Sequence, residues 1–518
     1  MQTLDLTPCR LQPYKHQVVG IEKLLEHPYF LLADEMGAGK TKQVIDTICI
    51  LALTGLINRV IVVCPAAVRN VWFDPELGEL SKHMWINVSA WITEYHASTR
   101  KWTWFIKDPA EQPKLKIVIT NYDFIRKADR LKPLMDLADS KTLLVLDESS
   151  AVKSYRAIQT AACFRLRQKC GRVILLNGTP IANNPGDIFA QALIMNPAIL
   201  ACKSYFHFRA RYAFMGGWQN KQIIGWRGLD DLQKRMAPYV LRRLKEQCLD
   251  LPPKLDSVTL TATLTPATWK VYKEMRDEMV AWLNGSTLSM ASQAIVKAIR
   301  LSQITSGFIG GLEEQDQFVE DAPDWIEGIK TDVKPEPFKG PVQEIGREKL
   351  NVFMDWFQEQ LEADPNMKLL IWCRFRPEVE RLFFELFNGK NLKVELGKIW
   401  GGQKRNERED ALRLLDPRTA PKGPAVVIGT PASGSMGLNL TAAHTVVYMS
   451  NDYSLKTRLQ SEDRVHRPGQ TFPVSYFDII ATGPTGQKTI DHTVVKALKN
   501  KHEIANFTTS AWLSALEE

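Results

Sequence analysis

A glycine-rich stretch, ADEMGAGKT, occupies residues 33–41 and has the composition of a phosphate-binding loop. It follows the apolar run YFLLA and opens the helix-like stretch KQVIDTICILAL, an order of strand, turn and helix N-terminus that suits phosphate binding. Gly37 and Gly39 let backbone N–H groups approach phosphates closely. Lys40 would reach the β- and γ-phosphates, and the Thr41 hydroxyl would ligate Mg²⁺. The pattern predicts a nucleotide site of the P-loop kind.

One position departs from the general P-loop pattern, because Asp34 stands where a glycine is usual. In the stretch that follows, Val44, Ile45, Ile48 and Leu51 fall on one face of a helix, which predicts a helix packed on a sheet. The strand before the loop and the helix after it favour a functional loop over an ordinary glycine-rich turn.

A second acidic element is needed near such a loop, and TLLVLDES supplies it. Asp147 would hold Mg²⁺ through water, and Glu148 would orient and activate the attacking water. Carboxylates at the end of a strand often only cap the next helix. The pairing with the glycine-rich loop is what favours a catalytic role.

Two further segments offer polar groups in the right kind of place. In QSEDRVHRPGQ, Arg464 and Arg467 are three residues apart, so on a helix they would share a face and suit an anion, although a solvated basic face stays open. In LLNGTPIANN, Thr179 could sense the γ-phosphate, or could simply belong to a Gly-Thr-Pro turn.

The elements that must position these residues are buried strands. A chain of 518 residues is too long for one hydrophobic core, so two or more domains are expected. Apolar runs separated by helix-like stretches predict doubly wound α/β sheets with parallel strands, one before and one after the middle of the chain. The runs are YFLLA (29–33), RVIVVC (59–64), KIVIT (116–120), TLLVLD (142–147), RVILLN (172–177), KLLIWC (368–373), AVVIGT (425–430), TVVYMS (445–450) and VSYFDII (474–480).

The net charge, the cysteines and the apolar runs limit which classes of protein and of site are expected. The net charge of +8 fits either an anionic partner or an ordinary basic protein. The eight cysteines form no CxxC pair, which predicts small buried side chains in a reducing compartment and disfavours a zinc site. No apolar run is long enough to span a bilayer and the first ten residues lack a signal-peptide pattern, so a cytoplasmic location is expected. Trp72, Trp102 and Trp104 could stack on bases, but core packing is the preferred interpretation.

In their order and spacing, the motifs resemble those of the Swi/Snf-type ATPases of helicase superfamily two. The match runs from about Leu11 to about Ala505. The matching segments are LQPYKHQVVG (11–20), ADEMGAGKT (33–41), VIVVCPAAVRNVW (60–72), VITNYDFI (118–125), LLVLDESSAVKS (143–154), LLNGTPIANN (175–184), YVLRRLKEQCLDLPPK (239–254), LSQITSGF (301–308), SGSMGLNLTAA (433–443), QSEDRVHRPGQ (460–470) and TIDHTVVKALKNKHEIA (489–505).

The resemblance implies an α/β fold of two RecA-like doubly wound parallel-sheet lobes with helical insertions. The first lobe would span residues 1–255, with a helical insertion at about 197–255. The second would span residues 256–518, with a helical insertion at about 256–310 and an acidic linker at about 311–345.

The resemblance also implies a site in which ATP and Mg²⁺ lie between the lobes and arginines of the second lobe complete the site when the lobes close. Thr41 and Asp147 would ligate the metal. The catalytic residues implied are Lys40, Asp147, Glu148, Arg464 and Arg467. The nucleotide contacts implied are Gln17 as the adenine reader, Asp34, Glu35, Met36, Gly37, Ala38, Gly39, Lys40, Thr41, Gly437 and Gln460. The DNA-phosphate contacts implied are Arg69, Thr120 and Thr430.

The function implied is a DNA-dependent ATPase that moves along double-stranded DNA as a monomer, without sequence preference, and remodels DNA or protein–DNA structures. A strand-separating helicase with the same ATPase site stays open as the alternative. A non-catalytic ATP-binding module is disfavoured because Lys40, Glu148 and Arg467 are intact, and a nucleotide kinase would leave the second half unexplained.

The sequence departs from the family pattern at a few places. Ser150 replaces a common histidine, Ser433 and Ser435 replace small Ala and Gly residues, and Tyr453 replaces a common tryptophan. Flanking chromatin-reading modules are not seen in the sequence, so a bare-core bacterial, phage or annealing-helicase-like member is expected rather than a chromatin remodeller.

Overall fold

Strands and helices alternate along most of the chain in the computed structural model of the protein. Its residues separate into two compact lobes, and the boundary falls between Leu249 and Asp250, a few residues before the predicted position. The structure describes residues 5–76, 78–95, 115–178, 185–216, 222–285, 291–310, 341–389, 393–401, 403–431 and 439–500.

The first lobe is built on a sheet whose described strands number seven, in the order β3-β4-β2-β5-β6-β1-β9, and every neighbouring pair in it is parallel. A separate antiparallel hairpin is formed by β7 and β8. The strands are β1 (Tyr29–Leu32), β2 (Arg59–Cys64), β3 (Ala90–Glu94), β4 (Leu115–Asn121), β5 (Thr142–Leu146), β6 (Arg172–Leu176), β7 (Ala213–Gly216), β8 (Gln222–Trp226) and β9 (Val240–Leu241).

Helices cover both faces of this sheet. Along β2, Ile61 and Val63 join one buried cluster, while Val60, Val62 and Cys64 join the other. Burial on both faces explains why the strands read as continuous apolar runs. The helices are Lys15–Glu26, Lys40–Leu53, Arg69–Phe73, Glu79–His83, Ala128–Leu137, Ile158–Arg167, Asp187–Met195, Tyr205–Tyr212, Leu229–Met236 and Lys245–Cys248, with 3₁₀ turns at Ala66–Val68, Phe124–Arg126, Ser149–Val152 and Ala237–Tyr239.

The helix Lys40–Leu53 has the apolar face that the sequence predicts. Val44, Ile45 and Ile48 are fully buried in the cluster on one side of the sheet. The helix is therefore anchored by its side chains, and its N-terminus is held at the carboxyl end of β1.

The second lobe repeats this architecture. Its described strands form a six-stranded sheet in the order β10-β17-β16-β13-β15-β14, again with parallel neighbours, and β11 pairs with β12 in a short antiparallel ribbon. The strands are β10 (Val258–Thr263), β11 (Phe308–Ile309), β12 (Gln343–Glu344), β13 (Lys368–Trp372), β14 (Glu395–Ile399), β15 (Ala425–Gly429), β16 (Thr445–Tyr448) and β17 (Ser475–Thr482).

Its sheet is also buried on both faces. In β13, Leu369 and Ile371 face one cluster, while Leu370 and Trp372 face the other. The helices are Pro266–Gly285, Ala291–Thr305, Glu348–Ala363, Arg376–Asn388, Arg405–Arg413, Leu455–Glu462 and a helix over 490–500. The predicted fold class, two doubly wound parallel-sheet lobes with helical insertions, is confirmed.

All nine predicted apolar runs are strands of these two sheets, but four sheet strands lack the continuous apolar pattern. All four, β3, β9, β10 and β14, lie at the edges of the sheets as described, where a strand has a neighbour on one side only and polar side chains are tolerated. In addition, β9 has only two residues, which is too short for a periodic pattern.

Two predicted insertions differ in content. The region 197–255 contains the hairpin β7–β8 and the strand β9 besides its helices, because its aromatic and β-branched residues suit strands as well as helices. The region 256–310 begins with β10, which joins the sheet of the second lobe. Of the predicted acidic linker, residues 311–340 lie outside the described residues, and Gln343–Glu344 form β12.

The cysteines behave as predicted. All eight are free thiols, and all but Cys248 are buried. Burial raises the pKa of Cys9 to about 11 and that of Cys49 to about 12, so these thiols stay protonated near neutral pH.

Candidate nucleotide site

The glycine-rich loop connects β1 to the helix Lys40–Leu53. Gly37 and Gly39 adopt left-handed backbone angles, with φ of 80° and 78°, which favour glycine. A Cβ atom added at Gly39 would lie only 2.2 Å from Nε2 of Gln17, so a side chain at this position would displace the Gln17 amide. The loop therefore has the shape and the bare backbone that bring N–H groups towards a phosphate.

Lys40 is folded over the loop that precedes it. Its Nζ donates to the carbonyl oxygens of Asp34 and Glu35, at 2.6 and 3.1 Å. Thr41 is the second residue of the helix, so its hydroxyl lies beside the positive end of the helix dipole. Both side chains occupy the positions that the sequence assigns to phosphate and metal binding.

Gln17 lies beside the same loop. It is buried in the first turn of the helix Lys15–Glu26, where its Oε1 accepts from the backbone N–H of Tyr14 at 3.0 Å. The carbonyl of Ala38 accepts from Nε2 of His16 at 2.9 Å, and Nε2 of Gln17 lies 3.5 Å from the same oxygen. These contacts join the helix Lys15–Glu26 to the glycine-rich loop.

Asp147 follows β5 and is partly buried. Its Oδ2 accepts from the indole N–H of Trp72 at 2.8 Å, and its backbone carbonyl accepts from the Tyr122 hydroxyl at 2.8 Å. Burial and the neighbouring Glu148 raise the pKa of the Asp147 carboxyl to about 6, although the Trp72 hydrogen bond and the Lys40 ammonium act in the opposite direction. The influence of Lys40 places the carboxylate and the glycine loop in one electrostatic environment.

Glu148 has an unusual backbone conformation. Its φ of 52° lies in the left-handed region, which is uncommon for a residue with a Cβ. Non-glycine residues in this region cluster at functional sites, where the surrounding structure holds them in place. Here the backbone N–H of Glu148 donates to Oδ1 of Asp147 at 2.9 Å, so the two acidic residues are held together.

The end of β6 reaches the same edge of the sheet. A Cβ added at Gly178 would lie 2.6 Å from Cγ of Met36, so the segment after β6 packs directly on the glycine loop. Thr179, which follows it, lies outside the described residues. The carboxyl ends of parallel strands commonly form ligand sites in open α/β sheets, and here three such ends converge.

Two arginines that the sequence analysis did not single out also serve this loop. The buried Arg242 donates from Nη1 to the carbonyls of Ala33 and Gly178, at 3.0 and 2.7 Å. Arg243 donates to both carboxylate oxygens of Asp34, at 2.9 and 2.5 Å. The segment YVLRRLKEQCLDLPPK (239–254) contains both arginines, and their pairing beside a short strand is the signal that the sequence offered.

The arginine segment of the second lobe differs from its predicted form. The helix that contains Gln460 ends at Glu462, so Arg464 and Arg467 lie in the turns that follow and do not share a helix face. Pro468 disfavours a helical conformation at the residue before it, and Gly469 has a φ of 103°, so the helix cannot continue. The backbone carbonyl of Arg464 accepts from Leu440 N–H at 3.1 Å, which ties the turn to the segment after Gly437.

The other residues predicted to contact nucleotide or DNA differ in their surroundings. Gly437 lies outside the described residues. Arg69 pairs with Glu94 at 2.5 Å. The side chain of Thr120 is fully buried in the sheet, so a phosphate contact through its hydroxyl disagrees with this structure. The N–H of Thr430 donates to the carbonyl of Ile399 at 3.1 Å.

The residues present in the first lobe fit a nucleotide with Mg²⁺. The loop around Gly39 is a cradle that a side chain would fill, and it leads into a helix N-terminus. Thr41 and Asp147 offer the oxygen ligands that Mg²⁺ prefers. Elsewhere in the described residues, His, Cys, Asp and Glu form no group of three or more that could hold a metal ion. Over the same part of the chain, no helix has the length and apolarity needed to cross a membrane.

Comparison with known proteins places the chain in a family. The model of the SNF2-related domain matches residues 22–307, which is more than half of the sequence. The chain belongs to the SNF2-related family. The second lobe of this SNF2-related protein matches the helicase conserved C-terminal domain over residues 348–469. Both are domains of helicase-like ATPases, as the motifs predicted.

Relatives of this SNF2-related chain are longer proteins. The TATA-binding protein-associated factor mot1 of Aspergillus fumigatus is 25% identical over an alignment of 529 positions. The alignment covers 93% of this chain and 26% of that protein. The SWI/SNF-related matrix-associated actin-dependent regulator of chromatin subfamily A containing DEAD/H box 1 homolog of Caenorhabditis elegans is 22% identical over 98% of this chain and 52% of that protein. The chain thus spans about a quarter and about half of their lengths.

A solved structure is also similar to this SNF2-related chain. The Sulfolobus solfataricus SWI2/SNF2 ATPase core in complex with double-stranded DNA is 22% identical, with a TM-score of 0.42. The alignment covers 99% of this chain and 96% of that one.

Proposed function

We propose that this chain hydrolyses ATP when bound to DNA and uses the energy to move along duplex DNA and to remodel DNA or protein–DNA structures. One observation carries the proposal. The glycine loop with Lys40 and the acidic pair Asp147 and Glu148 share one edge of a parallel sheet, in a chain that continues into a second parallel sheet with its own arginine segment.

The residues of the first lobe have separate tasks in this proposal. When bound, Mg²⁺ would neutralise charge on the phosphates and polarise a phosphoryl oxygen. Thr41 and Asp147 would hold it, and Lys40 would exchange its loop carbonyl partners for phosphate oxygens. Glu148 would orient the attacking water, a role that suits a residue held in a fixed, uncommon backbone conformation.

The second lobe would supply the arginines. In this proposal Arg464 and Arg467 reach the nucleotide when the lobes close, and Gln460 and Gly437 line the same part of the site. Such an arginine finger contributes roughly 10³–10⁵ in rate, which is about 4–7 kcal/mol of the activation barrier. Hydrolysis would therefore wait for closure, and DNA that binds both lobes would favour the closed state.

DNA is the expected partner because of the family and the charge. The relatives include a TATA-binding protein-associated factor and a regulator of chromatin. The net charge of +8 suits a polyanion, and contacts to phosphates carry no sequence information. Arg69 and Thr430 are proposed phosphate contacts, and a contact near the buried Thr120 would have to use backbone N–H groups.

The test of DNA dependence compares ATP turnover without nucleic acid, with single-stranded DNA, with duplex DNA and with RNA. Turnover should rise most with duplex DNA and should be insensitive to its sequence. Lys40→Ala supplies the blank, and the exposed Lys23→Ala supplies the matched control. Equal turnover in all four conditions would contradict a nucleic-acid motor, and stimulation by RNA alone would move the substrate to RNA.

A second test, with two DNA substrates, distinguishes movement along duplex DNA from separation of its strands. A DNA triplex loses its third strand when a motor passes along the duplex, whereas a forked duplex loses a strand only when the two strands are separated. Triplex displacement with an intact fork is expected. Fork unwinding with an intact triplex would support the strand-separating alternative. A monomeric state and a bare-core bacterial, phage or annealing-helicase-like subtype stay predictions.

A further inference from the structure

The connector between the lobes is bonded to the nucleotide loop at its beginning. Its first residues, 241–245, run beside the chain that leaves β1. The backbone N–H of Ala33 donates to the carbonyl of Leu241 at 2.7 Å, and that of Glu35 donates to the carbonyl of Arg243 at 2.9 Å. These bonds extend the pairing of β1 with β9 past the end of both strands, up to the glycine loop.

The side chain of Arg243 adds a charged contact to this backbone pairing. Its guanidinium grips both oxygens of Asp34, which is completely buried. Asp34 also accepts from Nε2 of Gln43 at 3.2 Å, and Arg243 donates to the carbonyl of His16. A buried carboxylate is tolerated only when it is paired. The aspartate that replaces the usual P-loop glycine is therefore the group by which Arg243 holds the loop.

Lys245 completes this first set of contacts. Its backbone N–H donates to Oε2 of Glu35 at 2.8 Å. Asp34 and Glu35 are the two residues whose carbonyls accept from Lys40 Nζ. The connector thus holds the residues against which the phosphate-binding lysine is positioned.

The end of the connector is bonded to the arginine segment of the second lobe. Nε2 of His466 donates to the carbonyl of Pro252 at 2.8 Å, and the ammonium of Lys254 pairs with the carboxylate of Glu462. Glu462 ends the helix before Arg464 and Arg467, and His466 lies between these two arginines. Both contacts therefore act on the short turn that carries the arginines.

Glu462 is held from a second side. Arg458 donates to it from Nε at 2.6 Å and pairs with Asp478 on β17 at 2.5 Å. Burial acts to raise the pKa of the Glu462 carboxyl, but Lys254 and Arg458 outweigh it and lower that pKa to about 2. The two cationic partners thus favour the charged carboxylate, which the ion pair with Lys254 requires.

We propose that residues 241–255 form a positioning strap for the nucleotide site, in which Arg243 fixes the phosphate-binding loop through Asp34 and Lys254 fixes the arginine turn through Glu462. Six residues, 246–251, separate the two sets of contacts along the chain. This inference rests on the proposed ATP hydrolysis. It adds positioning residues, Arg243 and Lys254, neither of which needs to touch the nucleotide.

The two ends of the strap should have different kinetic signatures. The loop binds nucleotide in the ground state, so loss of Arg243 should weaken nucleotide binding. The arginine turn acts in the transition state, so loss of Lys254 should lower kcat with little effect on binding. A residue that only stabilised the fold would not divide its effects in this way.

The experiment uses the full chain with duplex DNA and measures three quantities for each variant. These are the affinity for a fluorescent non-hydrolysable ATP analogue, the kcat of ATP turnover and the melting temperature. The variants are Arg243→Ala, Arg243→Lys, Lys254→Met and Lys254→Arg. Arg418→Ala and Lys23→Met serve as controls, because both side chains are exposed and each pairs with a nearby surface carboxylate.

Misplacement of a catalytic group by about 1 Å costs up to roughly a hundredfold in rate. We expect Lys254→Met to lower kcat about tenfold to a hundredfold with analogue affinity within about twofold of wild type. Arg243→Ala should weaken analogue affinity about tenfold or more, by analogy with other residues that orient a binding group. Lys254→Arg should retain most of kcat. The analogue affinity of Arg243→Lys should fall between those of Arg243→Ala and wild type, because lysine keeps the charge but cannot donate to both carboxylate oxygens as the guanidinium does.

Other results would overturn the strap. If both variants lost affinity and kcat together, in proportion to a lower melting temperature, the contacts would be structural only. If Arg243→Ala failed to fold, Asp34→Ala with Arg243→Ala would be measured, since removing both partners leaves no buried charge unpaired; wild-type analogue affinity in that folded double variant would contradict the proposal. A wild-type chain that bound the analogue but never turned over ATP would contradict the proposed function instead.

Discussion

The indole N–H of Trp72 donates a 2.8 Å hydrogen bond to Oδ2 of Asp147, although the two residues are 75 positions apart in the sequence. Trp72 is fully buried, as expected for a core residue, while Trp102 and Trp104 lie outside the described residues. The core tryptophan therefore has a second task, because it orients the carboxylate that would hold Mg²⁺ and lowers its pKa.

Trp72→Phe should weaken Mg²⁺ binding, so that the ATPase requires more Mg²⁺. The substitution keeps an aromatic ring in the core but removes the hydrogen bond, so the Asp147 carboxyl is less well oriented and its pKa rises further. We expect the Mg²⁺ concentration for half-maximal turnover to rise roughly tenfold. The measurement is a titration of turnover against Mg²⁺ at saturating ATP.

Trp85→Phe is the matched control for that titration. The indole of Trp85 is also buried and also donates to an aspartate, with 2.9 Å between Nε1 and Oδ1 of Asp46. Its loss should lower stability to a similar extent without changing the Mg²⁺ dependence. Identical titrations for the two variants would mean that Trp72 is important for packing alone.

The contrast between these tryptophans and the glycine loop shows what the sequence could predict. The loop, the interior strands and the acidic pair after β5 each depend on neighbours in sequence, so local patterns reveal them. The pair of Arg243 with Asp34 joins residues 209 positions apart, and nothing near either residue announces the other. Edge strands such as β3 and β14 were missed because half-exposed strands do not need continuous apolar residues.

The turn that carries Arg464 and Arg467 shows a second limit of prediction from sequence. The spacing of Arg464 and Arg467 fits one face of a helix, and the helix Leu455–Glu462, with Ser454 as its N-cap, does precede them. That helix ends at Glu462, and Pro468 and Gly469 disfavour a helical conformation around Arg467, so the two arginines do not share a helix face. Boundaries of elements depend on a few residues, whereas their existence depends on many.

Lys40→Ala should abolish ATP turnover while duplex DNA binding survives. Nζ of Lys40 donates to the carbonyls of Asp34 and Glu35 within the glycine-rich loop, so we expect its loss to leave both sheets intact. The measurement pairs steady-state ATPase assays with DNA-binding anisotropy. Turnover at the wild-type rate would show that the loop is not the hydrolytic site, and loss of DNA binding would show that Lys40 has a wider structural role.

Arg467→Ala should lower kcat by roughly 10³-fold or more while ATP affinity stays nearly constant, because an arginine finger acts mainly in the transition state. The measurement is single-turnover hydrolysis together with the affinity for a non-hydrolysable analogue. Arg418→Ala, at an exposed site on the same lobe, should behave like wild type in both assays. Weaker binding with unchanged hydrolysis would make Arg467 a binding residue.

Glu462→Gln should destabilise the second lobe in a pH-dependent way. The pKa of Glu462 is lowered from 4.5 to about 2, so its charge contributes stability that is fully present above about pH 4.5 and is lost as the pH falls towards 2. At pH 7 the variant leaves the buried Arg458 with fewer negative partners, and we expect a melting temperature lower by about 5 °C or more. The measurement is thermal unfolding of wild type and variant at pH 7, 5 and 3. The difference between them should be the same at pH 7 and pH 5 and smaller at pH 3, whereas the exposed Glu359→Gln should match wild type throughout. A constant difference from pH 7 to pH 3 would show that Glu462 stabilises the lobe through packing or neutral hydrogen bonds, and that its ion pairs with Arg458 and Lys254 contribute little.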